Sequence, residues 1–162
     1  MSEPVLHLFC GKIGSGKSTL AARVAQAEGG VLVSEDGWLK ALFGDEMQTG
    51  ADFVRFSARL RAAMGPHVVA LLQAGQSVVL DFQANTLESR DWMRGLIEAS
   101  GAAHVLHHLD LPDALCLERL AARNAGGGHE FAVTEAMFRR FAAAFVAPSE
   151  AEGFVIERHA EA

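Results

Sequence analysis

The 162-residue chain has only two cysteines, Cys10 and Cys116. Two cannot build a disulfide framework, and neither stands at a metal-ligand spacing. Both read as small core residues with free thiols, which suits a reducing, cytoplasmic setting. Long apolar runs are missing too. Half of the residues are hydrophobic, yet no uninterrupted stretch approaches the ~20 residues that cross a bilayer. The N-terminus has no basic region leading into an apolar one, so no secretory signal is expected. Positive charge is scarce: 14 Lys and Arg stand against 20 Asp and Glu, a formal net charge of −6. A large nucleic-acid footprint needs a basic face that displaces counterions, so this balance argues against one. Neither an internal repeat nor an interdomain linker interrupts the chain, which predicts a single domain over residues 1–162.

What the chain does have is decisive near its start. Residues 11–19 read Gly-Lys-Ile-Gly-Ser-Gly-Lys-Ser-Thr, a complete G-x-x-x-x-G-K-S phosphate-binding loop. Gly11, Gly14 and Gly16 free the backbone to curl with its N–H groups inward, so that Gly11, Ile13, Gly14, Ser15, Gly16, Lys17, Ser18 and Thr19 are the candidate nucleotide-binding residues. Lys17 supplies a point charge for the β- and γ-phosphates, and the Ser18 hydroxyl is placed to ligate Mg²⁺. The flanks have the required character. Val5, Leu6, Leu8 and Phe9 form a buried-strand run ahead of the loop, and helix formers occupy 19–27 behind it. The positive end of that helix dipole aims at a bound phosphate.

Beyond the loop, strand and helix signals alternate, the pattern of an open parallel sheet with helices on both faces. Strands are predicted at 31–34, 77–81, 103–109 and 154–157. Between the second and third strands the spacing predicts a helical hairpin over about 38–74, interrupted at Gly44 and at Met64-Gly65-Pro66, with Pro66 starting the last piece. Asn85 or Thr86 caps a helix running to about 99, and Gly101 ends it. Further helices are expected from Pro112 or Asp113 to about 124, and from 134 to about 147. The glycine-rich stretch after 125 reads as a hinge.

Ligands of open parallel sheets gather beyond the carboxyl ends of the strands. The second strand ends in Ser34-Glu35-Asp36, and the third in Asp81, so two carboxylates reach the rim that carries Lys17 and Ser18. Phosphoryl transfer uses such a pair, one acid on the magnesium side and one accepting the proton of the attacking hydroxyl. Asp36 is assigned as the base, with Glu35 as its rival. Asp81 is assigned to the magnesium or to positioning substrate.

Charge on the transferring group calls for arginines. Arg119 and Arg123 lie one helical turn apart ahead of the glycine-rich stretch, where they can close over the nucleotide. Arg90 is a further substrate candidate with Arg94 at the same spacing, and Arg55 and Arg59 share a helix face that could line an acceptor pocket. The histidines suggest little: His104, His107 and His108 lack a Cys or Glu at metal spacing, so no zinc site is expected. His129 falls in the hinge region. Phe131, Phe138, Phe141 and Phe145 recur as a core stripe, and Trp38 and Trp92 read as core residues.

With the loop, Asp36, Asp81 and the Arg119/Arg123 pair in place, the chain resembles the small P-loop kinases grouped with polynucleotide kinase, chloramphenicol phosphotransferase, gluconate kinase and the zeta toxins. More narrowly, it resembles the short bacterial AAA-type ATP-binding proteins of that group. The resemblance covers nearly the whole chain. It implies a three-layer α/β fold around a five-stranded parallel sheet of order 2-3-1-4-5, with a short mobile lid over about 119–133. It also implies ATP as donor with Mg²⁺, an aspartate base after the second strand matching Asp36, and lid arginines matching Arg119 and Arg123. It does not transfer an acceptor.

The resulting expectation is an ATP- and Mg²⁺-dependent kinase acting on a hydroxyl of a small molecule. A polynucleotide 5′-hydroxyl kinase is the alternative that shares its donor half. A nucleotide-binding regulatory module without a diffusible acceptor is the alternative from another class.

Overall fold

The computed structural model describes residues 3–126 and 133–160. Five strands, β1 (Val5–Cys10), β2 (Val31–Ser34), β3 (Val78–Gln83), β4 (Ala103–Leu109) and β5 (Ile156–His159), form one sheet in the order β2-β3-β1-β4-β5. Every pairing is parallel. The crossovers are carried by α1 (Lys17–Glu28), α2 (Glu35–Phe43), α3 (Gly50–Gln73), α4 (Leu87–Ser100), α5 (Asp113–Gly126) and α6 (Glu135–Ala144). This is the three-layer arrangement and the strand order that the resemblance implies.

The central strand explains the layering. Side chains alternate along β1. Leu6, Leu8 and Cys10 join the main core beneath α2, α3 and α4, while Phe9 turns to the other face and packs with Ala21 and Val79 under α1. Each fully buried Leu or Phe of this kind contributes about 1.5–3 kcal/mol. A separate cluster of Leu111, Cys116, Leu120, Val133 and Phe138 holds α5 and α6 together.

The hairpin expected over 38–74 is corrected. Met64-Gly65-Pro66 does not break the helix, and α3 runs unbroken through Pro66. Phe56, Leu60, Met64, Val68 and Leu72 form one buried stripe along its whole length, and a capping box between Thr49 and Asp52 fixes its start. Pro66 and Ala62, whose carbonyl loses its helical donor, are both exposed, which leaves the vacated acceptor on the solvent side of α3. Gly65 lies on the buried side of α3 facing Trp92 and Leu96 of α4, where a Cβ would make ordinary contact at 3.4–3.5 Å.

Other boundaries move by a few residues. β3 continues two residues past Asp81, and β5 begins only at Ile156, after the left-handed Gly153. Trp92 packs against Phe82 as expected, but Trp38 is exposed on α2. Of the phenylalanine stripe, Phe138 is buried and Phe141 is exposed. Residues 127–132, and with them His129, Phe131 and the centre of the expected lid, lie outside the described residues.

Candidate functional site

The loop after β1 is shaped by its glycines. Gly14 and Gly16 take φ values of 84° and 97°, a left-handed backbone that favours glycine. A Cβ on Gly14 would also sit 2.4 Å from the Cys116 carbonyl oxygen, so α5 presses directly on the loop. Gly16 is the N-cap of α1 and offers no side chain, and the first turn of α1 carries no acid. The first amides of α1 therefore have no internal anionic or capping partner. The Ser15 hydroxyl is buried without a hydrogen-bond partner. These features fit a phosphate group, which takes several N–H donors and favours the positive end of a helix.

Asn85 fastens the loop from outside. It accepts from the Gly11 N–H at 2.9 Å and donates to the Gly11 carbonyl at 2.9 Å. The sequence offered Asn85 only as a helix cap, a role the structure gives to Thr86. A side chain after a strand that reaches 74 residues back has no local signature, which is why this contact went unseen.

Lys17 folds its ammonium onto the carbonyls of Gly11 and Lys12. Burial lowers its pKa from the ordinary lysine value, while Asp81 first and Asp36 among others oppose that shift. Ser18 donates to Asp81 Oδ2 at 2.8 Å. A hydroxyl beside a carboxylate is an oxygen donor set suited to Mg²⁺.

The β2–β3 register sets Ser34 opposite Asp81, and the Ser34 hydroxyl caps α2 by accepting from the Gly37 N–H at 3.1 Å. Asp36, in the first turn of that helix, is brought to the cleft that Lys17, Ser18 and Asp81 line. Its neighbour Glu35 also lines the cleft but is only 4% exposed. The Glu35 carboxylate accepts from Ser57 Oγ at 2.6 Å and from Arg61 Nε at 3.4 Å. Glu35 thus ties α2 to α3, and Arg61 extends the tie to Ser89 on α4 at 3.0 Å. This network was missed in the sequence, where Glu35 figured only as a rival base.

From the opposite wall, Arg119 of α5 donates to the Ser15 carbonyl at 3.2 Å, and Arg123 lines the same cleft one turn later. The cleft has a volume of about 1090 Å³. Its far side is made by Met47, Gln48, Thr49, Phe53 and Val54 of the α2–α3 connection and of α3.

Three expected substrate contacts are placed elsewhere. Arg90 is 0% exposed and forms a strut: it donates to Glu152 at 2.7 Å and to the carbonyls of Ala84 and Val146 at 2.8 Å each. A guanidinium among three such acceptors fixes the C-terminal segment to the turn after β3 and has no access to substrate. Arg55 and Arg59 are exposed and lie over the Phe56 ring, with centroid distances of 4.6 and 5.6 Å. Neither belongs to the cleft lining, because the stripe that buries Phe56 turns their helix face away.

Known proteins share this fold. The chain superposes on a Chloroflexus aurantiacus J-10-fl protein whose kinase designation is itself provisional, with TM-score 0.76 and 19% identity over 99% of this chain and 86% of that one. A sugar kinase from Janibacter sp. HTCC2649 matches with TM-score 0.68 and 20% identity, covering 98% of this chain and 86% of that one. The APS kinase CysC of Mycobacterium tuberculosis, determined with AMPPNP and APS, matches with TM-score 0.64 and 20% identity over 99% and 90% of the two chains. No curated protein matches the sequence significantly. At these identities the structural likeness establishes the P-loop kinase fold. The sequence itself matches the AAA domain model over residues 6–148, and the chain belongs to that P-loop family.

Proposed function

We propose that the protein is an ATP- and Mg²⁺-dependent phosphotransferase that moves the γ-phosphoryl group to a hydroxyl of a small molecule. The observation that carries this reading is the convergence of four elements on one cleft: the loop amides, the Ser18–Asp81 pair, Asp36, and Arg119 against Ser15. Ser18 and Asp81 would hold the magnesium, which supplies charge neutralisation at the phosphates when bound. Lys17 exchanges its bonds to the loop carbonyls for phosphate oxygens. Asp36 accepts the proton of the acceptor hydroxyl, while Glu35 keeps α2 in place through Ser57 and Arg61. Arg119 and Arg123 take the charge that spreads over the transferring group.

A small acceptor is supported by the far side of the cleft. Met47, Phe53 and Val54 give it an apolar character, with Gln48 and Thr49 able to exchange hydrogen bonds. Among the described lining residues, Arg23 is the one cation beyond Lys17, Arg119 and Arg123. A strand of nucleic acid would need a continuous basic path instead. Residues 1–162 act as one catalytic unit, with Arg119 and Arg123 of α5 set over the donor.

The test is incubation with γ-labelled ATP and a mixed pool of hydroxyl-bearing metabolites and 5′-hydroxyl oligonucleotides, followed by identification of the labelled species. Label on a small hydroxyl compound supports the proposal. Label on the oligonucleotide alone would replace it with end repair. Nucleotide binding without any labelled product would replace it with a regulatory module.

A further inference from the structure

The phosphoryl-transfer scheme leaves unused a row of histidines that crosses the sheet. His7 on β1, His107 on β4 and His159 on β5 stack with ring centroids 5.3 Å apart at each step. Strand register requires them to share a face. Phe9 is the partner of His107 and lies two residues from His7, while Glu157 is the partner of His107 and lies two residues from His159. The row is joined by hydrogen bonds of 3.0 Å between His7 Nδ1 and His107 Nε2, and 3.1 Å between His107 Nδ1 and His159 Nε2. At its inner end His7 Nε2 meets the Glu28 carboxylate at the end of α1.

The proton positions follow from that inner end. Glu28 only accepts, so His7 Nε2 carries the hydrogen, and in the neutral row that a cation would bind to, His7 Nδ1 is a lone pair. His107 must then donate from Nε2, which leaves its Nδ1 lone pair pointing outward at His159. At the outer end, His159 Nε2 lies 3.1 Å from His107 Nδ1 and 3.8 Å from Glu157 Oε1. A neutral ring has one proton on that nitrogen, so it cannot serve both acceptors.

We propose that His107 Nδ1, His159 Nε2 and the Glu157 carboxylate form a site for a zinc-like divalent cation that bridges β4 and β5, with His7 and Glu28 as its supporting shell. The three ligand atoms lie within 4.8 Å of one another. A tetrahedral ion with bonds of about 2.0–2.1 Å needs ligand atoms about 3.3 Å apart. The 3.1 Å pair already meets that, while the Glu157 carboxylate, 3.8 Å from His159 Nε2 and within 4.8 Å of His107 Nδ1, must turn inward by rotation of its exposed side chain. On binding, the His159 ring proton sits on Nδ1 and the Nε2 lone pair turns to the ion, so no proton is lost. The fourth position is left to water.

Two imidazoles and one carboxylate select a borderline ion such as Zn²⁺ over Mg²⁺, which prefers oxygen throughout. The chain from metal to His107 to His7 to Glu28 is the outer support that orients ligating histidines. The consequence is mechanical. β5 pairs with β4 alone, so an ion across this ladder clamps the C-terminal strand to the sheet. His159 also lines the cleft, so the clamp sits at its margin.

The test uses tag-free full-length protein stripped with chelator and titrated with ZnCl₂ calorimetrically in excess MgCl₂, with Co²⁺ absorption as a second readout. The expected result is one Zn²⁺ per chain, the visible bands of tetrahedral Co²⁺, and a thermal transition raised by zinc. His159→Gln and Glu157→Gln, both near the surface, should each weaken binding at least tenfold. His7→Gln should weaken it about 10- to 100-fold. Ser18→Ala should leave zinc binding intact, which separates this site from the proposed magnesium position. Wild type that binds no zinc, or binds it no better than the His159→Gln/Glu157→Gln double variant, would overturn the proposal and leave a hydrogen-bonded row only.

Discussion

Asn85 holds Gly11 by both of its backbone polar groups, two bonds of 2.9 Å that join the turn after β3 to the first residue of the phosphate loop. The loop is therefore positioned by the neighbouring strand as well as by its own glycines.

Asn85→Ala should leave the sheet intact but free the loop. Each unmade bond to a buried partner costs about 1–3 kcal/mol, and the loss should appear as weaker nucleotide binding, by roughly tenfold or more, with a smaller fall in melting temperature. Calorimetry of Mg-ATP binding beside thermal unfolding of the same variant checks both.

Gly14→Ala should do more damage than its one methyl group suggests. The residue has φ 84°, and its Cβ would meet the Cys116 carbonyl at 2.4 Å. The loop must shift away from α5, and nucleotide binding should fall below detection in the same titration while circular dichroism keeps its helical signal.

Arg119→Ala should lower turnover by about 10²-fold or more, the scale of losing one well-placed donor to transition-state charge. Arg119→Lys should recover little, because an ammonium cannot reproduce the planar fork. Steady-state kinetics on the acceptor found by labelling would check this, and a full rescue by lysine would count against the assigned role.

Glu152 ties acid stability to the Arg90 strut. Burial works against its ionised form, but the Arg90 hydrogen bond, the Ser149 N–H and the charges of Arg90 and Arg94 together hold its pKa below the ordinary glutamate value. A carboxyl whose folded pKa is depressed adds stability above its unfolded pKa, about 4.3, and loses it as pH falls through the folded value. Glu152→Gln should therefore destabilise the protein by about 2 kcal/mol near neutral pH, because the buried Arg90 guanidinium loses a charge-assisted hydrogen bond. The gap to wild type should narrow below about pH 4, where the wild-type carboxyl is protonated too. Urea unfolding across that range reads the effect directly.

The sequence made the phosphate loop legible because its chemistry is local: three glycines, a lysine and a serine within nine residues need no distant partner to be recognised. Asp81 was legible for a similar reason, since an acid ending an apolar strand must reach the rim. The strand order came through the family resemblance, and the β2–β3 register then explains why Asp36 and Asp81 share a side. What escaped depends on pairings across the fold. Arg90 looked like a substrate ligand until Glu152, 62 residues away, took its charge. Glu35 looked like a base until Ser57 and Arg61 claimed its carboxylate. His7 and His107, 100 residues apart, carry no shared spacing that could reveal a stack. Pro66 misled because its cost depends on whether the abandoned carbonyl faces water, which periodicity alone does not say.

The central claim is that one cleft separates donor binding, carried by the loop and Lys17, from acceptor activation, carried by Asp36. Mg-ATP titration and single-turnover transfer, run on wild type, Lys17→Ala and Asp36→Asn, test that division most directly. Wild type should bind and transfer, Lys17→Ala should lose about 2.7 kcal/mol or more of binding, roughly 100-fold, and Asp36→Asn should bind within a few-fold of wild type while transfer falls at least 10²-fold. Absence of any heat from Mg-ATP with the wild type, or undiminished transfer by Asp36→Asn, would contradict the account.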